Sequence, residues 1–263
     1  MTNENILHPV LFIGHGSPMN ALAMNPFTKH LEMLGQTLPK PKKILMISAH
    51  WVTNKVEILG METPKTIHDF YGFPKELYDI QYPAKGHLEL AQDIQTRLSS
   101  YHPILNDDWG FDHGAWSVLH HMYPRADIPV VQLSLSTNFL NLRDHYLLGQ
   151  ELKNLRKQGV LIIGSGNIVH NLRNIDRNPE AKVQDWALEF DEYIKNAILS
   201  RNLEALSAEN KLKALEWKMA HPSIEHYLPL LYTLGATSEN EKIIFPFESF
   251  EHGSLSMRSV LIG

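Results

Sequence analysis

Histidine is the residue type that could do chemistry here, because the chain holds 15 of them and no cysteine. Several sit where an apolar run breaks off. His15 follows the run 10–13 and lies between Gly14 and Gly16, which let the backbone turn sharply and leave room beside the imidazole. His50 belongs to Ser48-Ala49-His50-Trp51, directly after the apolar run 43–47. His170 comes shortly after the run 160–164, in Gly164-Ser165-Gly166-Asn167-Ile168-Val169-His170-Asn171. His113 lies in the aromatic stretch Asp112-His113-Gly114-Ala115-Trp116, and His226 in His221-Pro222-Ser223-Ile224-Glu225-His226.

Imidazole is the commonest protein ligand for a transition metal, and it suits zinc and iron alike. Three histidines that leave coordination positions open fit either metal-hydroxide hydrolysis or oxygen activation at ferrous iron. Composition and spacing leave both open. Without cysteine there is no disulfide, no thiolate metal site and no cysteine nucleophile, and nothing in an all-imidazole site for oxygen to oxidise.

Competing motifs fail on their spacing. His221 and His226 are five residues apart, so on one helix they would point about 140° from each other at ~100° per residue. That separation rules out the paired-histidine zinc helix, which needs a spacing of four. His226 is the better ligand of the two, with Pro222 expected to start a helix after His221. Gly164-Ser165-Gly166 lacks the third glycine of a dinucleotide loop, since Val169 stands there. Ser17 and Ser165 lie near histidines but not in a nucleophile elbow. His8, His30, His87, His102, His120, His121 and His145 lie on polar stretches and are expected to have ordinary surface roles.

The elements that must position these histidines alternate. Strands are expected at 10–13, 43–47, 56–60, 128–134, 160–164, 242–246 and 255–261. Helical spacing covers 26–35, 88–98, 140–157 and 179–200, with a helix reaching Met122 and a more polar helical region reaching Met219. Ser17 and Pro18 suit an N-cap and first helical position. Alternating strands and helices predict an α/β fold, a single domain over 1–263 with a central mixed sheet flanked by helices. In such folds ligands bind beyond the carboxyl ends of the strands, where His15 and His50 fall. The aromatic stretch 63–86 is too long for a plain connection and is expected to pack over the site.

With 24 basic and 29 acidic residues, the chain shows no electrostatic footprint for nucleic acid. No apolar run approaches the ~18 residues that would suggest a membrane span. Residues 1–6 lack the basic and apolar regions of a leader, so a cytoplasmic location is expected.

Taken in order, His15-Gly16-Ser17-Pro18-Met19-Asn20, Ser48-Ala49-His50-Trp51, Asp112-His113-Gly114-Ala115-Trp116, the segments 164–171 and 221–231, and Gly253-Ser254-Leu255-Ser256-Met257 resemble the class III extradiol ring-cleavage dioxygenases. Within that family they are most similar to the 4,5-DOPA dioxygenase branch, over nearly the whole chain. The resemblance implies that His15, His50 and His226 hold one mononuclear metal, Fe(II) or Zn(II). It makes His170 the acid/base residue, able to swing in as a fourth ligand in a resting enzyme. It places His113 in the pocket for a small catechol, with molecular oxygen as co-substrate. Many relatives use two histidines and a glutamate, so a third histidine here leaves the site one charge more positive. His113, Trp116 and the 63–86 loop are the expected substrate contacts.

Overall fold

Val10, Leu11, Phe12 and Ile13 are all buried, yet alternate residues enter different cores. Val10 and Phe12 join a cluster with Leu45, Ile47, Val131 and Ile162, while Leu11 and Ile13 join one with Ile44, Met46, Val130 and Ile163. Successive side chains of a strand point to opposite faces, so a continuous apolar run means a strand covered on both sides. Each fully buried side chain of this size contributes about 1.5–3 kcal/mol. The two cores, more than any polar contact, therefore hold the strand ends that carry the histidines.

The computed structural model describes residues 7–208 and 211–263. Residues 1–6, read above for a leader, and residues 209–210 of the polar helical region lie outside the described residues. The main sheet is built from β1 (Val10–Gly14), β2 (Lys43–Thr53), β3 (Glu57–Leu59), β4 (Ile104–Asn106), β5 (Val130–Ser136), β6 (Val160–Gly166), β7 (Ile243–Phe247) and β8 (Ser259–Ile262). Their spatial order is β4-β3-β5-β2-β6-β1-β8-β7. The centre is parallel, β2 pairing with β5 and β6, and β6 with β1. β8 runs antiparallel to β1 and β7, and β3 antiparallel to β5, so the eight-stranded sheet is mixed. Helices α1 (Pro26–Thr37), α2 (Leu88–Arg97), α3 (His113–Met122), α4 (Leu142–Leu152), α5 (Asp185–Leu199), α6 (Ala214–Ala220) and α7 (Leu228–Gly235) flank it, in a single α/β domain.

Three local expectations need correction. β2 does not stop before His50 but runs on to Thr53, and its register against β5 shifts between Ile47 and Val52. A bulge of this kind leaves unpaired backbone and re-aims a side chain, and His50 sits inside it. Pro222 starts no helix: residues 222–227 are bends and turns, and α7 begins at Leu228 with Pro229 in its first turn. The 140–157 helix ends at Leu152 and continues as a tighter 3-10 helix, Lys153–Gln158. Among the described residues, no helix is long and apolar enough to cross a membrane.

Candidate active site

The carboxyl ends of β1, β2 and β6 lie side by side, with Ile13 opposite Ser165 and Ser48 opposite Ser165 from the other flank. His15 continues from β1 and its backbone N–H donates to Gly166 O at 3.0 Å. The turn carrying His226 crosses the end of β6, where its carbonyl accepts from Asn167 N at 2.8 Å. Gly166 allows this crossing, because a Cβ there would stand 2.0 Å from His226 O. The rings of His15, His50 and His226 form a nearly equilateral triangle, with centroids 5.1, 5.4 and 4.9 Å apart. His15 Nε2 and His50 Nε2 approach to 3.2 Å. Two nitrogens held about 2.0–2.1 Å from one tetrahedral ion would stand roughly this far apart.

Each of the three turns its Nδ1 toward an acceptor. Ser165 Oγ donates to Gly114 O at 2.6 Å, so its lone pair accepts from His15 Nδ1–H at 2.9 Å. Asp69 Oδ2 lies 3.3 Å from His50 Nδ1, and Glu225 Oε1 3.3 Å from His226 Nδ1. An acceptor at Nδ1 fixes the proton there and leaves the Nε2 lone pair free, as metal-binding histidines require. Burial, reinforced by the neighbouring histidines, holds all three well below the usual histidine range, so the rings are neutral. Neutral imidazoles with a free nitrogen are the form that takes up a divalent cation. His15 and His50, with a third imidazole from His113 or His226, make a donor set that fits such an ion.

His113 opens α3, where Asp112 caps the helix by accepting from Ala115 N at 3.1 Å. Asp69 holds His113 twice, accepting from its backbone N–H at 2.8 Å and facing Nδ1 at 2.9 Å. Burial opposes ionisation of Asp69, but its contacts with His113 and His50 outweigh that and keep the carboxyl below its usual range. Asp112 is fully buried; burial and the nearby Asp69 push it up to about 6, against hydrogen bonds from Ser48 and Gln132. Helix α3 packs against the bulge only because position 114 is glycine: a Cβ would meet Ser48 Oγ at 2.4 Å and His50 Cδ2 at 2.9 Å. Two sets of potential donor atoms lie within 4.8 Å of one another, one from His15, His50 and His113, the other from His170, Glu225 and His226.

His170 lies on the far side of the triangle, its backbone N–H tied to Ala220 O at 3.0 Å. Burial, then the nearby His113, lowers its pKa to about 4. His15, His50, His113, His170 and His226 all line one cavity of about 780 Å³. Its remaining wall is largely apolar, with Phe73, Leu172, Ile175 and Leu255.

Residues 9–258 match the family described as the catalytic LigB subunit of aromatic ring-opening dioxygenase. The chain belongs to the LigB family of class III extradiol dioxygenases. The 4,5-DOPA dioxygenase extradiol of Escherichia coli (strain K12) is 46% identical over 257 residues, covering 97% of this chain and 94% of that protein. The protein of the same description from Beta vulgaris is 40% identical over 265 residues, covering 98% of each. The crystal structure of an uncharacterized Escherichia coli K12 protein superposes with a TM-score of 0.85 at 42% identity, covering 97% of this chain and 100% of that one.

Within this LigB-family fold, the five histidines singled out in the sequence share one cavity, but other expectations fail. Trp116 is fully buried and donates from Nε1 to Ile67 O at 2.8 Å, so it supports the 63–86 loop from behind and does not line the cavity. From that loop, Phe73 reaches the cavity and Asp69 reaches His50 and His113. Glu225 lies in a turn, not on a helix, and faces His226 Nδ1. His221 is set apart among Phe190, Trp217 and Tyr227. His8, His30 and His145 are buried, against their polar surroundings in sequence. Asp69 had one signal, its place between His68 and Phe70 in an aromatic loop; Glu251, which also lines the cavity, had none.

Proposed function

We propose that this LigB-family enzyme cleaves the ring of a catechol, DOPA among those accepted, by the extradiol route with molecular oxygen. In this reading His15, His50 and His226 hold one divalent metal, ferrous iron, with zinc as the competing occupant. One observation carries the proposal: three neutral imidazoles converge beneath a cavity, each with its Nδ1 turned to an acceptor.

His226 is favoured over His113 as the third ligand. His113 brings a donor atom within 4.8 Å of those of His15 and His50, but its ring is pressed against the His50 ring at a centroid distance of 3.8 Å and its Nδ1 faces Asp69, whereas the His226 ring completes the even triangle. Glu225 then supplies a negative charge behind His226, where other relatives place a carboxylate on the metal itself. A divalent metal held by these histidines would supply a Lewis acid able to lower the pKa of a catechol hydroxyl.

The chain's own residues do the rest. His170 is unprotonated at neutral pH, takes the proton of the second hydroxyl and returns it as the ring opens. His113, with Asp69 Oδ2 2.9 Å from its Nδ1, offers its other nitrogen to the bound substrate. Phe73, Leu172 and Ile175 keep water from the reacting ring.

Anaerobic loading with ferrous iron, followed by oxygen uptake against a panel of catechols, tests this reading. One molecule of oxygen should be consumed per ring opened, with a yellow product from DOPA. No uptake with any catechol, alongside oxygen-independent hydrolysis of an ester or amide, would replace it with a zinc hydrolase.

A further inference from the structure

We infer that Glu251 anchors a cationic substituent of the substrate, so that the cavity selects amine-bearing catechols over those carrying only a carboxylate. This rests on the ring-cleavage reading above and names the substrate class of the same site.

Glu251 lines the cavity with those five histidines and with His252, whose Nδ1 faces Asp176 O at 2.9 Å, and among the described residues it is the only Asp, Glu, Lys or Arg that does. Its carboxylate is fixed at both oxygens. Oε1 accepts from Asn20 Nδ2 at 2.8 Å and Oε2 from the backbone N–H of Ser17 at 3.3 Å. Both donors are neutral, and no ion pair to Glu251 exists among the described residues. No cation is therefore committed to this carboxylate, and each oxygen keeps a lone pair for a further donor.

Its position beside the histidines is built into the backbone. Gly16 adopts φ +61°, and a Cβ there would stand 2.6 Å from Glu251 Oε2. The left-handed φ favours glycine here, and its missing side chain leaves room for the carboxylate against the residue after His15. Asn20 Nδ2 also reaches His15 O at 3.4 Å, so one amide ties the His15 turn to Glu251. From the other side, Glu251 is paired in a short antiparallel ladder with Leu255.

The surroundings sharpen the choice. An ammonium meeting this carboxylate forms a charge-assisted hydrogen bond, and the apolar wall strengthens it by lowering the local dielectric. A catechol bearing only a carboxylate meets a like charge, with no lysine or arginine among the described lining residues to receive it.

The test compares iron-loaded wild type, Glu251→Gln and Glu251→Lys on three catechols that share a two-carbon spacer, with aminoethyl, ethyl and carboxyethyl side chains. In wild type, kcat/KM should fall in that order, mainly through KM. Glu251→Gln removes the charge and keeps one acceptor oxygen, which can serve either Asn20 Nδ2 or the Ser17 N–H but not both. It should lower the aminoethyl-to-ethyl ratio by roughly tenfold or more, the scale of a charge-assisted hydrogen bond. Glu251→Lys should raise the carboxyethyl compound above the aminoethyl one. If ethyl catechol is cleaved but the ratio is the same in wild type and Glu251→Gln, the anchoring role is wrong and ring cleavage stands. If no catechol is cleaved by wild type, the ring-cleavage reading fails and the anchoring role fails with it.

Discussion

The ring of His170 lies flat on that of His226, with centroids 3.4 Å apart and planes 4° from parallel. An ion in the plane of the His226 ring lies a stacking distance away from the plane of His170. In this arrangement His170 cannot aim a nitrogen at the same ion, yet it faces the same cavity. The two histidines are therefore expected to separate cleanly on mutation. His170→Ala should keep most of the metal and lose turnover by roughly 10²–10⁴-fold, the range for a positioned acid/base. Metal content and kcat measured on the same preparation check this. Metal loss as deep as in His50→Ala would make His170 a ligand.

His226 and His113 compete for the third position around His15 and His50. Substituting alanine at His15, His50 or His226 should empty the site with the fold retained. His113→Ala should retain metal and raise KM for the catechol. Metal analysis and circular dichroism of the four variants decide the matter; metal lost from His113→Ala but kept in His226→Ala would reverse the assignment.

Ser165 tests whether the orientation of Nδ1 matters. Its hydroxyl is committed as a donor to Gly114 O, so it accepts from His15 Nδ1. Ser165→Ala removes that acceptor while leaving every ligand in place. Loss of such a supporting contact commonly weakens metal binding by ~10–100-fold, and a competition titration with a chelator should show a drop of that size. Unchanged affinity would mean that the tautomer is held in some other way.

Stability should fall on mild acidification for a reason remote from the metal. His145 is buried, with Nδ1 3.0 Å from Tyr232 Oη, and burial lowers its pKa to about 4. The unfolded chain binds this proton at about pH 6.5 and the folded chain only near 4, so stability is fully present above 6.5 and declines as pH falls through that window. Between about pH 7.5 and pH 4.5 this one group should account for about 2–3 kcal/mol, at ~1.4 kcal/mol per unit. Urea unfolding of the metal-free protein should show that difference, and His145→Gln should remove it from the pH dependence. Identical pH slopes in the two proteins would contradict it.

What could be seen in the sequence, and what could not, follows from the range of the interactions. The strands at 10–13, 43–47 and 160–164 were legible because burial on both faces writes an unbroken apolar run. Five of the six cavity histidines were legible because each sits in a stretch that departs from such a run or from a helix pattern; His252 was not. The bulge at His50 was not, since it depends on how β2 registers against β5. Asp69 and Ser165 act through contacts between distant parts of the chain, which no local pattern resolves; Ser165 is 150 residues from the histidine it supports. The failure of Pro222 to start a helix has the same cause, because the 222–227 turn is held by Asn167 on another element.

Oxygen isotope incorporation tests ring cleavage most directly. Iron-loaded enzyme is given DOPA under labelled oxygen gas, and the product is reduced at once with borohydride and weighed by mass spectrometry. Both atoms of one oxygen molecule should appear in the ring-opened product, and none should form without oxygen. Label taken only from water, or an equal yield under anaerobic conditions, would contradict oxygen-dependent extradiol cleavage at this histidine site.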